Sequence, residues 1–70
     1  MKTEITELQI IRRKEVENMT GLSRSSIYAL MKTGNFPQSI KLTERTTGWL
    51  KHEIESWLME KVEERNKRSA

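Results

Sequence analysis

The sequence predicts a small, mainly α-helical domain with one β-hairpin. Apolar residues recur at helical spacing in two short segments and one longer segment, and after Pro37 the period changes to alternation. With 70 residues and no cysteine, the chain can form one domain with a thin core and no disulfide framework. We therefore expect a single domain over residues 1–70, with an ordered core at about residues 8–62.

The first predicted elements are a short strand and a short helix. The apolar run LQII at residues 8–11 fits either a strand or the lead-in to a helix, and we favour the strand. In residues 13–19, RKEVENM, the side chains of Val16 and Met19 lie three positions apart and share one helical face. This segment is therefore expected to form a helix that packs that face inward.

A glycine turn and a second helix follow. Gly21 can take the left-handed conformation that ends a helix, and Leu22 is expected to pack inward. Ser23 is a typical N-cap, since its hydroxyl can accept a backbone N–H of the first helical turn. The second helix is expected over residues 24–32, and Gly34 is expected to stop it. Its predicted core stripe is Ile27, Leu30 and Met31.

The alternating segment predicts a hairpin. Ile40 and Leu42 alternate with polar residues, as in a half-buried strand. The segment TERTTG at residues 43–48 is the expected tip, and Trp49 and Leu50 belong to the return strand. The hairpin thus follows directly on the second helix.

The last predicted element is a helix that begins at Lys51. Both tryptophans, Trp49 and Trp57, are expected in the core rather than on the surface as stacking platforms for single strands. The segment EERNKRSA at residues 63–70 has no apolar residue before Ala70, so we expect it to fray. The predicted core face of this helix is Ile54, Trp57, Leu58 and Val62.

Together these elements predict a winged helix-turn-helix. Two short helices joined by a tight glycine turn, the second with a polar outer face, form a helix-turn-helix, and a basic, Thr-rich hairpin beside them is typical of a wing. The net charge of +3 is also uneven, with −1 on residues 1–11, +5 on residues 12–51 and −1 on residues 52–70. Such a centre attracts nucleic acid, although an ordinary solvated basic surface would carry the same charge.

Other functions are disfavoured by what the chain lacks. It contains no Asp and no Cys, and His52 is its only histidine, so we predict no metal, no other cofactor and no catalytic residues. The glutamates are typical of a solvated face, and the chain is expected to be neither an enzyme nor a binder of small-molecule substrates. The absence of cysteine fits the cytoplasm, and no apolar run approaches the ~18 residues of a membrane span, so we expect a cytoplasmic protein without membrane contact.

The ordered motifs resemble a known family. The stretch RKEVENMTGLSRSSIYALMKTGNFPQSIKL, followed by R, GW and EIESWL, is similar to the AlpA-like prophage regulators, relatives of phage excisionases, over roughly residues 8–60. The resemblance implies a winged helix similar to the MerR-type DNA-binding domain. It also implies DNA binding that activates or represses promoters, often to switch on an integrase or to direct excision. Arg12 and Glu44 stand where the family pattern has a Thr or Ser cap and a Gly-rich wing turn.

The chemistry of DNA selects the candidate contact residues. Arg, Ser and Tyr side chains can reach base edges in the major groove, and residues at the start of a recognition helix reach furthest. We assign Arg24 and Ser25 to base edges, and Ser26 and Tyr28 to bases or phosphate. The predicted backbone contacts are Lys32, Lys41, Arg45 and Thr46, the last two from the wing.

Each assignment has a structural alternative. Arg24 could be an ordinary solvated residue, the serines could merely satisfy the first helical turn, and Tyr28 could pack on the wing. Two function classes therefore stay open. One is a sequence-specific DNA-binding protein, either a transcriptional regulator or an excision factor, whose partners are double-stranded DNA and an integrase or a second copy of the chain. The other is a small protein-binding inhibitor that docks through the same exposed helix.

Overall fold

Three helices and a small antiparallel sheet make up the computed structural model, which describes residues 8–69. The mainly helical prediction is confirmed, and both short helices lie within one residue of their expected bounds. The described range leaves out part of the predicted 1–70 domain, at residues 1–7 and 70. In chain order the elements are β1 (Ile10–Ile11), α1 (Arg13–Thr20), α2 (Arg24–Lys32), β2 (Ile40–Lys41), β3 (Thr47–Leu50) and α3 (Lys51–Ser69).

The sheet has β3 at its centre, paired antiparallel with β1 on one side and with β2 on the other. Gly48 lies opposite Ile40 in this central strand. A Cβ at Gly48 would collide with the side chain of Ile10 and lie 3.0 Å from the carbonyl oxygen of Ile11, so only glycine allows β1 to approach this closely. The predicted hairpin tip at residues 43–48 is therefore too long, because Thr47 and Gly48 belong to the strand.

The turn between α1 and α2 has the predicted geometry. Gly21 is left-handed, with φ 75°, and its N–H donates to the carbonyl of Glu17 at 2.7 Å. Ser23 caps α2, since its hydroxyl accepts the N–H of Ser26 at 3.2 Å. At the start of α1, by contrast, the N-cap residue Arg12 makes no side-chain capping bond.

The end of α2 is closed by a Schellman motif. Gly34 has φ 81°, its N–H donates to Met31 at 3.1 Å, and the N–H of Asn35 donates to Leu30 at 2.8 Å. The predicted stop at Gly34 is thus confirmed.

Two indole N–H groups hold the connection that follows α2. Trp49 Nε1 donates to the carbonyl of Pro37 at 3.1 Å, and Trp57 Nε1 donates to that of Asn35 at 2.8 Å.

The core lies where α1, α2 and α3 pack around β3. Its buried residues are Val16, Ile27, Phe36, Trp49 and Ile54. The remaining predicted core positions on α1 and α2, with Leu22, are half-buried against this cluster. Trp57 is half-buried as well, with its ring edge-on to Phe36 at a centroid distance of 4.8 Å. Val62, expected on the core face of the last helix, is 37% exposed, and Leu42, expected in a half-buried strand, lies just beyond β2 and is 44% exposed.

The final helix continues well past its buried part. Residues 59–68 of α3 are exposed throughout, because the chain has no second layer for them to pack on within the described range. Helical geometry extends to Ser69, and fraying after Val62 stays a prediction. No helix within residues 8–69 combines the length and hydropathy needed to cross a membrane.

Candidate nucleic-acid interface

The outer face of α2 carries five of the predicted contact residues. Within its nine residues the helix has no carboxylate, and Lys32 lies at its C-terminal end. Neither Arg24 nor Lys32 makes an ion pair with any residue in the described range. The exposed set is Arg24, Ser25, Ser26, Tyr28 and Lys32. This face therefore presents unneutralised positive charge together with neutral hydrogen-bonding groups.

Ser26 is already engaged in the cap of α2. Its N–H donates to Ser23 Oγ at 3.2 Å, and the hydroxyl of Ser23 donates to Ser26 Oγ at 3.1 Å. Ser25 shows no such local bond, and it lies beside Arg24 at the exposed start of the helix. The alternative that the serines merely satisfy the first helical turn therefore applies to Ser26 more than to Ser25.

A chain of three side chains connects the start of α2 to the core. The guanidinium carbon of Arg24 lies 5.8 Å from the centroid of the Tyr28 ring, within the range of a cation–π interaction. Tyr28 in turn meets Trp49 edge-on, with centroids 6.3 Å apart and an interplanar angle of 63°. Because Trp49 is fully buried, it provides a fixed support for the exposed pair.

A cleft of about 240 Å³ lies between the start of α1, the outer face of α2 and the hairpin. We call it the basic cleft, because four of its six lining residues are cationic. The lining residues are Arg12, Arg13, Lys14, Tyr28, Arg45 and Thr47. Tyr28 therefore borders both the α2 face and this cleft.

The charge of the basic cleft is only partly neutralised. Arg13 Nε pairs with Glu17 at 2.9 Å within α1. For Arg12, Lys14 and Arg45 the described part of the chain provides no ion-pair partner. A concave surface with three unpaired cations concentrates positive potential, which attracts polyanions.

The hairpin residues divide between the cleft and open surface. Arg45 is exposed at the tip and lines the cleft, whereas Lys41 is exposed on β2 and lies opposite Thr47 in the strand pair. Thr46 is half-buried, and its carbonyl accepts the N–H groups of Leu42 at 2.7 Å and Thr43 at 3.1 Å. Its neighbour Thr47, which the sequence placed in the tip, lines the cleft instead.

The structure thus groups some predicted site residues and separates others. Tyr28 and Arg45 line the same cleft, and Arg24 joins them through its contact with Tyr28. Lys32, Lys41 and Thr46 lie outside the cleft lining. The start of α1 was missed by sequence reasoning, although the run RRK at residues 12–14 was a visible signal.

A second, wider groove of about 990 Å³ lies between the connection at residues 34–40 and α3. Its lining includes Trp57 and carries mixed charge, with Glu53, Glu60 and Glu64 alongside Lys61. No group of three or more His, Cys, Asp and Glu side chains suited to a metal ion occurs within residues 8–69. The two concave surfaces therefore differ in charge, because the lining of the basic cleft contains cations and no carboxylate, whereas that of the wider groove contains both.

Comparison with known proteins identifies a family and a relative. Residues 9–62 match the family described as prophage CP4-57 regulatory protein (AlpA). Uncharacterized protein ORF88 of Enterobacteria phage P4 is 36% identical over 59 residues, which cover 84% of this chain and 67% of that protein. The family match includes both short helices, the hairpin and the buried part of the last helix.

Proposed function

The chain belongs to the AlpA family of prophage regulatory proteins, and from this premise we propose that it is a sequence-specific DNA-binding regulator. Its fold is then a winged helix-turn-helix, with α1 and α2 as the helix pair and the β2–β3 hairpin as the wing. A transcriptional regulator would control a promoter, and an excision factor would act together with an integrase. Both roles would begin with the same DNA contact. The cytoplasm is where such a protein would meet DNA.

The observation that carries this proposal is the outer face of α2. This face is exposed, contains no carboxylate and borders the basic cleft. The major groove of B-DNA is wide enough to admit one helix, whose first residues reach the base edges. Arg24 and Ser25 occupy the first two positions of α2 and are therefore proposed to read bases.

The other predicted residues are proposed to hold the helix in place. Tyr28 supports Arg24 and is close enough to the cleft to reach a base or a phosphate. Ser26 contributes mainly through the cap. Phosphate contacts fix register but carry little sequence information, which suits side chains at the periphery of the interface. The proposed backbone contacts are Lys32, Lys41, Arg45 and Thr46.

The alternative is a protein-binding inhibitor that uses the same exposed helix. Salt dependence separates the two functions, because each neutralised phosphate lowers the slope of log affinity against log salt by ~0.9. A docking surface for a protein would lose much less affinity with salt, since no condensed counterions are released.

The experiment is a selection of duplexes from a random pool, followed by fluorescence anisotropy over a series of salt concentrations. We expect one sequence motif to be enriched, with a binding slope that corresponds to several phosphate contacts. A scrambled duplex of the same length is the control and should bind more weakly. Failure to bind any duplex at low salt would overturn the proposed function.

A further inference from the structure

We propose that the basic cleft is a clamp for the DNA sugar-phosphate backbone, in which the start of α1 and the hairpin tip hold the same strand. This inference rests on the proposed function, but it assigns DNA contact to Arg12, Arg13 and Lys14, which lie outside the helix pair's recognition face. It also makes Arg45 one wall of a site rather than an isolated charge at the tip.

The convergence of charge is the first step of the argument. Arg12, Arg13 and Lys14 are consecutive in the chain, and Arg45 approaches them because the pairing of β1 with β3 brings the hairpin alongside the start of α1. No carboxylate is among the lining residues, and among residues 8–69 the ion pair with Glu17 neutralises Arg13 but no other lining cation. Like charges brought together repel one another, and a bound polyanion removes that repulsion.

The position of the cleft next to α2 is the second step. Tyr28 lies on α2, contacts Arg24 and lines the cleft, so the proposed base contact and the cleft are neighbours. A helix in the major groove is bordered by sugar-phosphate backbone on both sides. With α2 in the groove, the bordering strand is the part of the duplex that comes closest to the cleft.

The exposure of the cations favours a polymer over a free anion. Arg12, Lys14 and Arg45 are all exposed, so a single phosphate would leave each interaction open to water and salt. A DNA strand presents a charge every ~3.4 Å and releases counterions when it is neutralised, so several such cations act together. The ligand chemistry is therefore phosphodiester, with free phosphate as the source to be distinguished by experiment.

The test compares two double variants with the same change in net charge. Arg12→Gln with Lys14→Gln removes two cations from the cleft, and Lys67→Gln with Arg68→Gln removes two from the far end of α3. Neither the Arg12 nor the Lys14 side chain makes a capping bond or ion pair in the described structure, so the fold should be kept, as melting curves will show. Binding to a selected duplex and to its scrambled counterpart is measured over a salt series.

We expect the cleft variant to bind both duplexes more weakly by the same factor, with the salt slope reduced by about one to two contacts of ~0.9 each. The α3 variant should retain the slope of the unaltered protein. If the cleft variant unfolds, Arg45→Gln from the opposite wall takes its place, with an expected loss of one contact. A cleft variant with the same slope as the α3 variant would overturn the clamp while leaving DNA binding intact.

Two further outcomes are distinguished by DNA binding of the unaltered protein and by competition with inorganic phosphate. Absence of binding by the unaltered protein would reject the proposed function and the clamp together. Inorganic phosphate, added at constant ionic strength, should displace DNA no better than chloride does. Displacement that depends on Arg12 and Lys14 would show a free-phosphate site and would contradict the clamp.

Discussion

The two helices α2 and α3 both bury one stripe and expose the rest, yet their exposed faces differ in charge. The nine residues of α2 include two cations and no carboxylate. The 19 residues of α3 include five glutamates and five lysines or arginines. On α3 the charges also meet one another, as Lys61 and Glu64 do at 3.6 Å, whereas Arg24 and Lys32 of α2 have no ion-pair partner in the described range.

This difference shows that exposure alone does not identify a binding face. A helix whose charges balance produces little potential beyond its own surface, and salt screens what remains within about 8 Å at physiological ionic strength. A helix whose positive charge is not balanced, and which lies next to a second cationic surface, strengthens the positive potential of that surface. The comparison therefore places the proposed interface on the α2 side of the molecule and leaves α3 as support.

The largest effect should come from the two tryptophans that support these helices. Trp49→Ala removes a fully buried ring beneath α2, and truncation of a buried aromatic costs ~3 to 5 kcal/mol. In a domain whose total stability is on the order of 5 kcal/mol, this variant should be largely unfolded. Thermal melting followed by circular dichroism checks the expectation.

Trp57→Ala is the matched substitution on α3. Its ring is half-buried, so the loss of stability should be smaller, and the folded fraction should bind DNA as before. A Trp57→Ala protein that melts close to the unaltered chain but no longer binds DNA would place a contact on α3 and break the comparison.

The next largest effect concerns sequence discrimination by Arg24. One bidentate contact to a base is worth ~1 to 3 kcal/mol, so Arg24→Ala should reduce the affinity ratio between the selected and scrambled duplexes by about 5-fold to 150-fold. Arg24→Lys is the control, since it keeps the charge but loses the planar pair of donors. It should lose discrimination while the salt slope stays the same. An unchanged affinity ratio between the two duplexes in both variants would show that Arg24 does not contact bases.

A smaller, salt-dependent effect is expected at the hairpin tip. Arg45→Ala should weaken binding to all sequences equally and reduce the salt slope by about one contact. Glu44→Gln should strengthen binding, because the neutral side chain no longer repels phosphate. Both effects should shrink in high salt, as anisotropy titrations would show. If neither change alters affinity at low salt, the hairpin only covers the core.

The smallest effect is expected from a carboxylate on α3. Glu55→Gln changes the net charge by as much as Glu44→Gln does, but Glu55 is exposed on the balanced helix. Its removal should increase DNA affinity much less than the change at the tip. Equal increases in the two variants would mean that net charge alone governs binding, and the contrast between the faces would no longer hold.

Local signals in the sequence predicted much of the fold. Gly21, Ser23 and Gly34 have the conformations or capping bonds expected of them, because each depends on a few neighbouring residues. Burial was predicted less well. Val62 continues the helical stripe of α3, but it lies where the described chain offers nothing to pack against, and Leu42 lies one residue past the end of β2.

The basic cleft could not be assembled from the sequence, because it depends on distant segments. The pairing of β1 with β3 brings the start of α1 alongside the hairpin, and these segments are separated by most of the helix pair. Thr47 belongs to β3 rather than to the tip because it pairs with Lys41 across the hairpin, and it lines the cleft. The cations at residues 12–14 and Arg45 were all visible in the sequence, but their proximity to one another was not.

The two tryptophans whose indole N–H groups hold the connection after α2 also give the protein an intrinsic fluorescence signal. Trp49 is buried beside Tyr28 on the proposed DNA side, whereas Trp57 is half-buried on α3, with Lys61 over its ring. The emission of the two indoles should therefore differ in its access to a soluble quencher. A Trp57→Phe protein would keep Trp49 as its single tryptophan, next to α2, so occupancy of that face could be followed by selective tryptophan excitation without any attached dye.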